Sequence, residues 1–132
     1  DGAECNVVGL AGYENDDKIS NEVSTAGPDP IVIDGNVDRV YNPPPGDKAQ
    51  CEVTIATGAG TSVSLKAFGT IDGKEHPVSC VVWNPYEEKA KAMSDFTDEQ
   101  YVDMICVEPG LLQNVPELES ECVFTQVMQA KK

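Results

Sequence analysis

One acid with unusual neighbours is the first residue in this chain that could do chemistry. Glu108 closes the apolar run Met104, Ile105, Cys106, Val107 and is followed at once by Pro109-Gly110. Proline cannot donate into a strand ladder, so the pattern places a carboxylate at a strand end. With Cys106, Val107 and Pro109 around it, that carboxylate is expected to lose water, which would raise its pKa and make it a better base near neutral pH. A second acid, Asp38, sits in VDRVY, residues 37–41. Strand alternation puts Val37 and Arg39 on one face and Asp38 and Val40 on the other. A salt-bridged or turn-capping aspartate fits that pattern as well as a functional one. Trp83 suits both a stacking surface for a sugar and a place in a core. The one histidine, His76, lies between Glu75 and Pro77 and reads as an exposed loop residue rather than an acid–base group.

The elements that must hold these residues are strands with a short helical interlude. Val81, Val82 and Trp83 form a β-prone run that Asn84-Pro85 stops. Asn84 as N-cap, Pro85 at the first helical position and Glu87 three residues after the cap predict a short helix, with Glu87 and Lys91 at i,i+4. Thr97 and Gln100 repeat the spacing, so a second helical turn is expected over Asp98 to Asp103. Upstream, strands are expected over Cys5 to Leu10, Ile31 to Asp34 and residues 37–41, with a polar turn or loop between the first two. Residues 42–47, NPPPGD, form a rigid connector. Residues 51–68 alternate on both sides of Gly58 to Gly60 and predict a hairpin; no GK[ST] follows, so those glycines are not a phosphate loop. GTIDGKEHP reads as a loop, and ECVFTQVM, residues 121–128, as the last strand.

Composition narrows the functions. The chain has 132 residues, 40% of them hydrophobic, enough for one domain with a core. A formal net charge of −14 with Arg39 as the single arginine excludes nucleic acid, which needs clustered cations. No apolar run of membrane-spanning length and no leader is visible, so the chain reads as soluble, off the membrane and cytoplasmic. Five cysteines, Cys5, Cys51, Cys80, Cys106 and Cys122, are widely spaced in strand-like contexts and read as buried thiols of a reducing compartment. None has zinc-ligand spacing, so no metal is expected. Abundant Gly and Pro without helical periodicity favour an all-β architecture.

The stretch VVWNPYEEKAKAMSDFTDEQYVDMICVEPG closely resembles the signature of the glucose-6-phosphate 1-epimerase (hexose-6-phosphate mutarotase) branch of the aldose 1-epimerase superfamily. VDRVY resembles a second signature of that family, in the right order, and the resemblance extends weakly into GLAGYENDDK and FTQVM. It implies an antiparallel β-sandwich, one or two short helices, and residues 1–132 as the C-terminal portion of a single such domain. It also implies interconversion of the α and β anomers of a hexose 6-phosphate without a cofactor. Glu108 matches the family's general base and Asp38 its binder of sugar hydroxyls, with Trp83 and Arg39 as secondary candidates. The family's catalytic histidine and phosphate-binding arginines lie upstream of everything here, and His76 stands where the family places no catalytic histidine. Asn36 replaces a usual acid and Tyr86 a usual tryptophan. The alternative reading is a non-catalytic carbohydrate-binding or interaction module on the same scaffold, and half a sandwich is expected to leave sheet edges and an apolar face exposed.

Overall fold

Short alternating segments punctuated by Gly and Pro become eleven strands in the computed structural model, which describes residues 5–46 and 49–132. In chain order these are β1 (Asn6–Val8), β2 (Glu14–Asp17), β3 (Glu22–Thr25), β4 (Ile31–Val32), β5 (Val37–Asn42) and β6 (Gln50–Ala56). They continue with β7 (Ser62–Ile71), β8 (Lys74–His76), β9 (Ser79–Asn84), β10 (Cys106–Gly110) and β11 (Cys122–Lys131). One sheet runs β11-β7-β6-β1-β4, with β8 also on β7, and the other runs β10-β9-β5-β2-β3. Every pairing is antiparallel. The expected all-β sandwich is what the chain forms.

The core lies where the two sheets face each other. Val7, Cys51, Val53, Leu65 and Ala67 come from the first sheet and Val37, Tyr41, Cys80 and Val82 from the second, all in one buried cluster. The pattern of β5 follows directly: Val37 and Tyr41 are buried, so Asp38 and Val40 point to the opposite, outer face. Leu65 is 3% exposed at the centre of β7. Gly9 follows β1 at a φ of 114° that only glycine adopts easily, and a Cβ there would meet the Glu52 carbonyl oxygen.

Several expectations need correction. The polar stretch after β1 is not a loop, because ENDD and EVST pair as β2 and β3. Those residues have low strand propensity, and the ladder offered by β5 overrides it. GTIDGKEHP is likewise not a loop: Asp72 and Gly73 both take positive φ, 49° and 74°, and turn β7 into β8. That is the Asp-Gly hairpin geometry. His76 is buried rather than exposed, with Nδ1 3.0 Å from the Pro77 carbonyl and Nε2 3.4 Å from that of Asn114. The 51–68 hairpin, the 37–41 strand and the last strand form as expected, the last running on to Lys131. Of NPPPGD, Asp47 lies outside the described residues.

Thiol burial is mixed. Cys5, Cys51 and Cys80 are buried, Cys106 is half-buried and Cys122 is exposed on β11. Across the core, the contact with Cys51 and then burial push the Cys80 thiol far up, whereas the same contact lowers Cys51 against the effect of its burial. No helix among the described residues is long and apolar enough to cross a membrane.

Candidate active site

Helix α1 (Tyr86–Ala92) and a 3₁₀ turn over Gln100–Asp103 separate the two strands that carry Trp83 and Glu108. Asn84 joins them, though not as the capping box that its spacing suggests. Its buried carboxamide accepts the Tyr86 N–H at 2.8 Å and donates to the carbonyls of Tyr101 at 3.0 Å and Met104 at 2.8 Å. One side chain therefore fixes both the exit from β9 and the entry to β10. Glu87 instead pairs with Lys91 on the exposed side of α1. At the 3₁₀ turn, Gln100 does reach back to the Thr97 N–H at 3.0 Å, as the repeated spacing implies. The rings of Tyr86 and Tyr101 meet at a tilt across the interlude, centroids 5.2 Å apart and planes at 48°.

The result is a defined register. Cys106, Val107, Glu108 and Pro109 oppose Trp83, Val82, Val81 and Cys80, and Asp38 and Val40 oppose Trp83 and Val81 on the other side of β9. Residues directly opposite share a face, so Glu108, Trp83, Asp38 and Cys106 all lie on the outer face of this sheet. Asp38, Trp83 and Cys106 form one row across three strands, and Glu108 stands two residues along. Strand spacing puts the Asp38 and Glu108 backbones about 12 Å apart, with Trp83 between them.

Glu108 is not at a strand end. β10 continues through Pro109 to Gly110, which is possible because β10 is an edge strand and the proline nitrogen needs no ladder partner there. Nor is Glu108 desolvated, for it is exposed on the open face despite its apolar neighbours in sequence. Alternation explains this: Pro109 is buried, and the strand turns Glu108 the other way.

Two contacts escaped the sequence reading. Lys89 of α1 approaches Asp38, Nζ to Oδ2 3.6 Å, with both side chains partly exposed. The Cys106 thiol is raised above its usual range, first by burial and then by the adjoining Glu108 carboxylate. The i,i+2 spacing of Cys106 and Glu108 could have revealed the second. The first depends on how α1 folds back over the sheet. Further along the same face, Ser79 donates to Asn42 at 2.7 Å and Asn42 to Glu14 at 3.1 Å, which continues the polar surface onto β2.

Arg39 is not brought to this face. It lies on the opposite side of β5, bonded to Asp17 at 2.9 Å. Burial opposes its charge, but the Asp17 and Tyr41 contacts outweigh it and raise the guanidinium above its usual value. Asp17 is lowered, chiefly by the Ser20 N–H and also by Arg39. His76 belongs to the other sheet through β8 and does not reach Glu108.

No protein-family model matches the chain. It is 36% identical over 110 residues to a protein of Cenchrus ciliaris named "Putative glucose-6-phosphate 1-epimerase", an alignment that covers 80% of this chain and 30% of that protein. The chain thus spans less than a third of its relative's length. Across four-fifths of its own length it is related in sequence to part of that protein, and the resemblance carried by the Asp38 and Glu108 motifs is borne out.

Proposed function

We propose that the chain is the C-terminal portion of an aldose 1-epimerase-like sandwich domain that interconverts the α and β anomers of glucose 6-phosphate and related hexose 6-phosphates. The observation that carries this reading is the shared outer face of Asp38, Trp83 and Glu108. Glu108 takes the proton from the anomeric hydroxyl while an acid protonates the ring oxygen. The C1–O5 bond then breaks, the C1 carbonyl forms, and rotation about C1–C2 precedes closure with the two roles exchanged. Base and acid must act together because either alone builds unfavourable charge. Asp38 accepts hydrogen bonds from sugar hydroxyls, and Trp83 offers a ring face between the two acids. The acid histidine comes from outside these 132 residues, since His76 is held in the opposite sheet.

The exposure of Glu108 fits the same reading, because a base that awaits a covering layer stands open until that layer is present. That no cysteine among the described residues is in a disulfide supports a reducing, cytoplasmic setting. The test is anomer exchange by NMR on the full-length protein. Glu108→Gln is expected to slow exchange by roughly 10²–10⁴-fold, the usual contribution of a positioned general base. Unchanged exchange in that variant removes Glu108 from the mechanism.

A second reading has its own observation. No histidine stands on the outer face of β10, β9 and β5 among the described residues, and Glu108 faces Val81 across the ladder. A non-catalytic carbohydrate-binding module would use the same Asp38 and Trp83. It would show sugar binding by titration calorimetry, lost in Asp38→Ala, with no anomer exchange in the full-length protein.

A further inference from the structure

Four strands end the two sheets and β8, three residues long, pairs only with β7; of these five, all but one are poor templates for another strand. β4 has two residues, β3 has four and carries Glu22, and β10 has five and carries Glu108 and Pro109. Short length, charge and proline are the usual protections of a sheet edge. β11 has none of them. It has ten residues, CVFTQVMQAK, with no proline, no glycine and one charge at its last position. Both of its faces are open: Val123 and Val127 on one side are 45% and 47% exposed, Phe124 and Met128 on the other 40% and 64%. Its far edge has no strand partner among the described residues.

We propose that β11 joins a second copy of this chain by antiparallel strand pairing about a two-fold axis at Gln126, so that the two sheets become one. A two-fold perpendicular to the sheet keeps side chains on their own face, so residues paired across it must have the same parity. Centred on Gln126, the register sets Glu121 against Lys131 of the second copy at both ends. Phe124 then meets Met128 of the second copy, Thr125 meets its Val127, and Gln126 meets its own counterpart. These are favourable cross-strand pairs: opposite charges, sulfur against an aromatic ring, two β-branched side chains, and paired amides. The complementarity selects a copy of the same strand as occupant, since the acidic residue lies just before β11 and the basic residue at its end. In a chain of net charge −14, that local match lets two copies meet where most of the surface would repel.

The anchoring of β11 also suits an interface. Asp72 in the β7–β8 turn accepts the N–H groups of Glu119, Ser120 and Glu121 at 3.0, 2.8 and 2.9 Å, while its own N–H donates to the Glu121 carbonyl at 2.8 Å. The strand is therefore held at the point where the Glu121 contact begins, and through its backbone, so the Glu121 side chain is free to face a partner.

The experiment is sedimentation velocity on the chain across a concentration series, with cross-linking as the second measurement. A dimer is expected. Glu121→Lys should raise its dissociation constant at least about tenfold, because two attractive contacts become repulsive, and adding Lys131→Glu should restore it. In a Cys122→Ser background, Gln126→Cys treated with diamide should give a covalent dimer, while Val123→Cys should not, because the register keeps the two Val123 positions far apart. A monomeric chain, a dimer indifferent to the charge reversal, open-ended aggregates, or cross-linking at 123 instead of 126 would each overturn the proposal. So would a monomeric full-length protein in which position 126 does not cross-link, since another segment would then occupy the edge.

Discussion

β10 and β11 are edge strands at the same flank of the sandwich, with Leu111, just beyond β10, packed against Gly69 on the β7 partner of β11. They have opposite characters. β10 is short, broken by proline and marked by one exposed acid, whereas β11 is long, nearly uncharged and apolar on both faces. An edge that cannot accept another strand keeps its side chains available to a ligand, and an edge without such protection is suited to backbone pairing. On the two proposals above, the first is the edge for chemistry and the second the edge for assembly.

The largest effect that would separate them is on rate. In the full-length protein Glu108→Gln should slow anomer exchange by roughly 10²–10⁴-fold and leave the state of association unchanged, whereas Glu121→Lys should do the reverse. A variant that moves both readouts together would show that the two edges are not independent.

Next in size is a stability contrast between neighbours on one face. Leu65 on β7 and Met128 on β11 are directly paired, yet they are 3% and 64% exposed. Urea unfolding at low protein concentration should show Leu65→Ala costing about 2–5 kcal/mol. Met128→Ala should cost no more than about 0.5 kcal/mol, as for a surface site. An equal loss would mean that β11 already has a buried face in the monomer.

A smaller effect tests what guards β10. Pro109→Val restores a backbone donor, and together with Glu108→Val it gives the edge the character of β11. Sedimentation should then show new association that Glu121→Lys does not abolish. If β10 stays inert, proline and charge are not what blunts it.

The smallest is a pH effect at the start of β11. The N–H groups of Glu121 and Glu119, with the Ser120 hydroxyl and N–H, hold the Asp72 carboxyl far below the usual aspartate range. A depressed carboxylate stabilises the folded form above its unfolded pKa and loses that contribution as pH falls through the folded one. Amide exchange at Ser120 and Glu121 should therefore stay protected from neutral pH down through the ordinary aspartate range, with protection lost only in stronger acid. In Asp72→Ala it should be absent throughout. Protection that vanishes near pH 4 in the unmodified chain would mean that the clamp is not what orders this segment.

Residue order alone was enough for the sandwich class, the 51–68 hairpin and the faces of β5, because period-2 alternation and turn residues are local signals. It also held the Asp72-Gly73 turn, a hairpin signal set within a polar stretch. Local signals could not show that ENDD would become a strand, since only the ladder of β5 makes it one. The burial of His76 depends on carbonyls from Pro77 and the distant Asn114. The exposure of Glu108 was decided by pleat and pairing, because flanking residues one step away in sequence point to the other face of a strand. Tertiary structure also decided which acids share a surface: Asp38 and Glu108 are seventy residues apart in the chain, and both oppose residues of β9 on its outer face. The sequence by itself determined which acids, aromatic rings and apolar residues each strand carries. Their common face and the unguarded edge beside it arise from long-range backbone hydrogen bonds, whose partners no local pattern specifies.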